Sequence, residues 1–367
     1  MRKGIAVAAL LVAALWTATP DVVRAQEREP DATTTPPPPR GRGRGEGVER
    51  ARERLRRLQD SARERRAARV GPGISDTVSR TVKLGRDGSL DLVNIAGRVS
   101  ITGRGGDEVR LEAVKRVWHK DPDEARALLK DLDVRIAEGT GRLDVRTIFP
   151  QEQSYDAEVD YTLSVPQDAR VSIRNASGDI VVTGVQGELR AESVSGAITV
   201  TSAGDVRLLR SLSGAVSVDG AAGTELTAST VGGSITARKV KARTIDLRSV
   251  GGPLRVLDSE SDRVSMQALG GAVEYAGRIG RNGRYDLLSR GGQVLVTPTG
   301  NDGFEVDVMT LDGNFRSDFP LTLRERRGPP EGRGGLRRGT AVSGTFGDGG
   351  GLLTLRSATG GVTIRRP

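Results

Sequence analysis

The residues able to do chemistry are few. The chain has one histidine, His119, and no cysteine. Disulfides, thiolate metal sites and cysteine nucleophiles are therefore excluded, and clustered-histidine zinc sites with them. A Ser-His-Asp triad has only His119 to use. That histidine lies between Trp118 and Lys120, just ahead of a helix start, with no nucleophile-elbow serine nearby. It reads as a surface or capping residue. Glycoside hydrolysis needs two carboxylates facing one groove. The candidates Asp179, Asp205, Glu225, Asp246, Asp258, Asp262, Glu274, Asp286 and Asp307 scatter across the repeat described below and build no column. They read as a solvated outer face. Calcium-loop spacing and the calcium-binding nonapeptide are missing. Gly270-Gly271 and Gly291-Gly292 are not followed by the lysine of a phosphate loop. No catalytic, cofactor-binding or metal-binding residue is expected, and the sequence points away from an enzyme.

What such side chains would be mounted on is better defined. Of 367 residues, 49 are Gly and only 11 are Phe, Trp or Tyr, so aliphatic residues must build the core. A six-residue corner recurs every 18 to 21 residues over most of the chain: Asn175-Ala176-Ser177-Gly178-Asp179-Ile180, then Ser193-Val194-Ser195-Gly196-Ala197-Ile198, then Ser211-Leu212-Ser213-Gly214-Ala215-Val216. Its fourth position supplies the structural corner glycines Gly97, Gly178, Gly196, Gly214, Gly233, Gly252, Gly271, Gly292, Gly313 and Gly360. An invariant glycine in a tight bend predicts positive φ. Two residues on, the side chain is apolar in every copy, and two further on in all but one, where Ser317 stands. That is strand alternation. The first position is Ser or Thr in seven copies and Asn in two; stacked polar groups there would satisfy backbone at the bend.

A second short strand lies between corners, as in Thr244-Ile245-Asp246-Leu247. Two strands and two bends per period are too short for a propeller blade and lack the helix of a leucine-rich repeat. They fit an all-β, parallel β-helix-like solenoid of about eight short two-strand coils, each burying its aliphatics against the next. Residues 171–367 form the repeats, with a mobile basic insert at 321–341. Residues 74–170 form a β-rich cap carrying one short helix. Asp121 is its cap, Pro122 its first residue and Glu124 closes a capping box, with Ala125, Leu128, Leu129 and Leu132 as its apolar face.

The beginning reads as a secretory signal over 1–25. Arg2 and Lys3 precede an apolar run from Ile5 to Trp16, and Val23-Arg24-Ala25 offers a cleavage site before Gln26. Residues 26–73 read as a disordered Pro/Arg/Gly-rich arm with a marginal helix over 46–69. Residues 40–69 hold 12 Arg against 5 Asp or Glu, so most of the chain's net +9 sits there. With export and no interleaved aromatics, nucleic acid is not the expected partner; an anionic envelope surface, an envelope polysaccharide or a protein is.

At the Ser-x-Ser-Gly-x-Ile corners around Gly178, Gly196 and Gly214, and at the ending Gly344-Thr345-Phe346-Gly347 through Ser357-Ala358-Thr359-Gly360-Gly361-Val362, the chain resembles a bacterial family of adhesin-like all-β repeat domains of unknown function. The resemblance covers about residues 90–367. It implies an exported, envelope-facing binding protein found in the periplasm, at the cell surface or outside the cell, and it supplies no catalytic residues. A scaffold without its own ligand and a carbohydrate-active enzyme on a parallel β-helix are the alternatives.

Overall fold

The computed structural model describes residues 73–149, 156–324 and 340–367, all within one compact unit. A second unit, residues 1–66 with 151–154, lies outside the described residues. So do the expected signal segment, the arm except Gly73, and most of the basic insert. The described residues form 24 strands and one helix.

Two parallel ladders organise them. The first runs β6 (Arg142–Ile148), β2 (Ser89–Ala96), β8 (Arg170–Ser177), β10 (Leu189–Ser195), and then the second halves of β11 (Ile198–Ser211), β12 (Val216–Thr230) and β13 (Ile235–Ser249). It continues through β15 (Arg263–Ala268), β17 (Arg284–Ser289), β23 (Gly351–Ser357) and β19 (Phe304–Thr310). The second runs β7 (Asp156–Pro166), β3 (Val99–Arg104), β9 (Ile180–Thr183) and the first halves of β11, β12 and β13. It continues through β14 (Leu254–Ser259), β16 (Val273–Arg278), β18 (Val294–Thr299), β24 (Val362–Ile364) and β20 (Phe315–Ser317). Antiparallel strands close the ends: β4 (Glu108–Trp118) on β7, β1 (Gly73–Lys83) on β4, β5 (Asp133–Gly139) on β6, β22 (Thr340–Phe346) on β19 and β21 (Thr322–Arg324) on β22. The last two bring both flanks of the insert into strands.

The alternating aliphatics form interior files. Ile180, Ile198, Val216 and Ile235 are lateral neighbours in register, each essentially without solvent exposure. Burying one such side chain is worth about 1.5–3 kcal/mol, and each rung repeats the gain against both neighbours.

The corner glycines also stack, for a reason other than the one the spacing predicts. Only Gly97 (φ 115°) and Gly178 (φ 113°) adopt positive φ. At the other eight the constraint is space: a Cβ on Gly214 would overlap the carbonyl of Gly196, and a Cβ on Gly252 that of Gly233. Positive φ gathers instead at the opposite bend, at Gly184, Ser202, Gly220, Lys239 and Asp258.

Six of the seven corner hydroxyls tie two rungs together. Ser289 Oγ accepts from Gly292 N at 2.9 Å and donates to the Gly271 carbonyl, one rung back, at 2.8 Å. Ser211, Thr230, Ser249, Thr310 and Ser357 repeat the pattern. At Asn175 an amide does this work, Nδ2 donating to the carbonyls of both Gly97 and Gly178. With the Gly178 carbonyl already served, Ser193 Oγ is buried without a partner.

The rungs do not stack in chain order at the far end. β23 and β24 lie between β17–β18 and β19–β20, so the Gly360 corner sits between those of Gly292 and Gly313. The chain completes one rung, leaves through β21, and returns to thread its last rung inside it.

The helix α1 spans Pro122–Asp131, capped by Asp121, whose side chain accepts from Asp123 N. It packs on β1 and β4 with Ala125, Leu129 and Leu132 buried and Leu128 partly so. Glu124 pairs with His119 Nε2 at 3.2 Å, while His119 Nδ1 accepts from Asp121 N. The histidine is thus a capping residue and occupies the place in the cap that the box assigns to Glu124.

Candidate binding face

Strand alternation fixes which residues leave the core. Along the second ladder the outward positions are Thr162 and Ser164 on β7, Ser100 and Thr102 on β3, Val181 and Thr183 on β9, Thr199 and Thr201 on β11, and Ser217 and Asp219 on β12. Thr236 follows on β13. All are exposed or half-buried. Their hydroxyls have no hydrogen-bond partner among the described residues. Neighbouring strands are about 4.8 Å apart and alternate residues about 6.7 Å, so the hydroxyls form a two-column lattice, one column interrupted by Val181 and the other ending at Asp219.

At its head the antiparallel strands β4 and β1 extend this face. The register places Glu112 opposite Thr162 and Arg110 opposite Ser164, and Ser79 and Thr81 opposite Glu112 and Arg110 in turn. These residues, with Thr102 and Arg104, line an open cleft of about 390 Å³, while Arg80, opposite the buried Leu111, projects from the other face of the sheet. Among the described residues, Arg80, Arg104, Arg110 and Glu112 form no ion pair.

The first ladder presents a different surface. Four of its arginines pair with an acid two residues away, Arg142 with Asp144 at 2.9 Å, Arg190 with Glu188 at 2.6 Å, Arg207 with Asp205 at 2.8 Å and Arg248 with Asp246 at 2.8 Å, while Arg263 and Arg284, opposite one another in register, form no ion pair among the described residues. The guanidinium of Arg142 holds the Asp144 carboxyl below the usual range.

Against the expectation of no column, three of the carboxylates named from sequence share one: Asp246, Asp286 and Asp307 stand on alternate rungs of the first ladder, in register through Ser265 and Thr354. Asp179 accepts from Ala197 N, Glu274 faces Arg255 and Arg365, Asp307 accepts from Ser343 and Asp258 occupies the positive-φ bend. Among the described residues no three acids or histidines come together as a metal site, and no helix is long and apolar enough to cross a membrane. The hydroxyls on β3, β9, β11, β12 and β13 were readable in the repeat: they occupy third and fifth places after the corner glycines Gly97, Gly178, Gly196, Gly214 and Gly233. The cleft was not, because β1 and β4 lie outside the repeat.

No family model matches the chain, and no curated protein does. Several solved structures match. One is of a "putative adhesin" from Bacteroides fragilis, 11% identical, covering 79% of this chain and 97% of its own, at a TM-score of 0.38. Another is of a "putative cell adhesion protein" from Clostridium sporogenes, 8% identical, covering 80% and 100%, at 0.24. A third is of a "putative lipid binding protein" from Parabacteroides distasonis, 9% identical, covering 79% and 97%, at 0.34. At these TM-scores the fold of this chain rests on its own strand pairings.

Proposed function

We propose that this chain is an exported, non-enzymatic β-solenoid that binds an extended polar polymer at the cell envelope, in the manner of an adhesin-like module. The two parallel ladders with in-register interior files support the solenoid reading. The carrying observation is the hydroxyl lattice on β7, β3, β9, β11 and β12. Its groups find no partner within the described residues, and repetition along the ladder suits a ligand that itself repeats. A polysaccharide offers hydroxyls and ring oxygens at similar intervals, and many weak contacts in series give avidity. Export is the reading of Arg2 to Ala25, and the basic arm serves as a tether to an anionic surface.

The test is co-sedimentation with insoluble envelope polysaccharide, using the full chain and a Thr102→Val/Thr199→Val/Thr201→Val variant. These substitutions keep shape and remove three hydroxyls from exposed or half-buried sites. A tenfold or greater loss of retention, with the melting temperature held, is expected. Retention unchanged in the variant, or turnover of the polymer, overturns the proposal. Deleting residues 26–73 separates the tether from the face: saturable binding persists if the face is the reader.

A further inference from the structure

We infer that the cleft at the head of this face is an anion-selecting subsite, built to take a uronate or phosphate group carried by the polymer. The inference rests on the polymer-binding reading and adds to it a charge requirement and a location. Its ground is positive charge left in excess beside the hydroxyls. In the cleft, Arg104 and Arg110 meet a single carboxylate, Glu112, two positive charges against one negative, and none of the three is paired among the described residues.

Two guanidiniums against one carboxylate leave an excess positive charge, and nothing in the packing requires them: Arg104 and Arg110 point outward from strands whose inward residues, Ile101, Val109 and Leu111, already fill the core. A guanidinium matches a carboxylate or phosphate through two parallel hydrogen bonds. Beside them, the Thr162 and Ser164 hydroxyls and the Glu112 carboxylate supply the donors and acceptors that a sugar ring needs around its acidic group. Thr102, which lines the cleft, also belongs to the lattice, so a chain anchored there by its charge continues over Ser100, Thr183, Thr199 and Thr201.

The experiment measures binding of the full chain to polygalacturonate, to its methyl ester and to a polyglycerol phosphate. The ester keeps the hydroxyls and removes the charge. Binding of polygalacturonate at least tenfold tighter than of its ester is expected, weakening as salt is raised. An Arg104→Gln/Arg110→Gln variant, with unchanged melting temperature, is expected to bring the acidic polymer down to the level of the ester and to leave the ester's binding as it was. Phosphate polymer binding better than polygalacturonate assigns the subsite to phosphate, and the reverse to carboxylate. Equal binding of ester and acid, insensitive to both arginines, overturns the subsite and leaves the hydroxyl face standing. Failure of all three polymers to bind overturns both.

Discussion

At the scale of single residues, the corner shows how a hydroxyl can be either necessary or superfluous in one column. Ser289 satisfies a buried amide and a buried carbonyl together. Ser289→Ala strands both, and a loss of about 1–3 kcal/mol in chemical denaturation is expected. Ser193 has no partner, so Ser193→Ala is expected to fall within about 0.5 kcal/mol of the parent. Ala268 is the one corner position without a polar group, flanked by Ser249 and Ser289 in register; Ala268→Ser completes the relay and gains about 1 kcal/mol. The glycines divide in the same way. Gly214→Ala drives a methyl into a neighbouring backbone and is expected to prevent folding. Lys239→Gly relieves a non-glycine residue at φ 49° and raises stability by about 1 kcal/mol. The corner glycines were legible from their invariance, but the reason for them was not: crowding between backbones is a relation between rungs and leaves no mark within one copy. The opposite bend went unread because Gly, Ser, Lys and Asp share it, and only geometry unites them.

At the scale of elements, period-two alternation identified the strands and the interior files, and Asp121-Pro122 identified the helix. Local rules suffice where the competing states are local. The rung order was beyond them, because every copy offers the same edges and the sequence does not say which neighbour wins. Here β23 lies between β17 and β19. Cysteines report this cleanly, since the chain has none of its own. A Leu288→Cys/Arg356→Cys pair is in register on adjacent strands and is expected to couple efficiently with a short thiol crosslinker, as read on denaturing gels. A Leu288→Cys/Met309→Cys pair, separated by the intervening strand, is expected to remain free. Efficient coupling of the second pair and not the first would show stacking in chain order.

At the scale of the whole molecule, three buried tyrosines set an alkaline limit. Burial pushes Tyr161 up to about 12, and burial likewise raises Tyr275 and Tyr285, which lie with ring centroids 5.2 Å apart. A phenol held neutral in the folded state but free to ionise when unfolded gives folding a contribution fully present below pH 10 and lost as pH rises through the folded value. The melting temperature is therefore expected to be flat up to about pH 10 and to fall steeply above it, with tyrosinate absorbance appearing in step with unfolding. Tyr161→Phe should delay that fall. Tyrosinate forming well before structure is lost would contradict it.

The threaded last rung also bears on how such a chain comes into being. A polypeptide made from its N-terminus forward finishes β19 and β20 before residues 351–364 exist. Winding therefore cannot proceed as a zipper closing steadily toward one tip. The penultimate turn must wait unseated, or settle and be prised off, until its successor slides beneath it. The keystone of this arch is laid last and from the inside, and until then the seam beside β17 and β18 is open to any strand that finds it first.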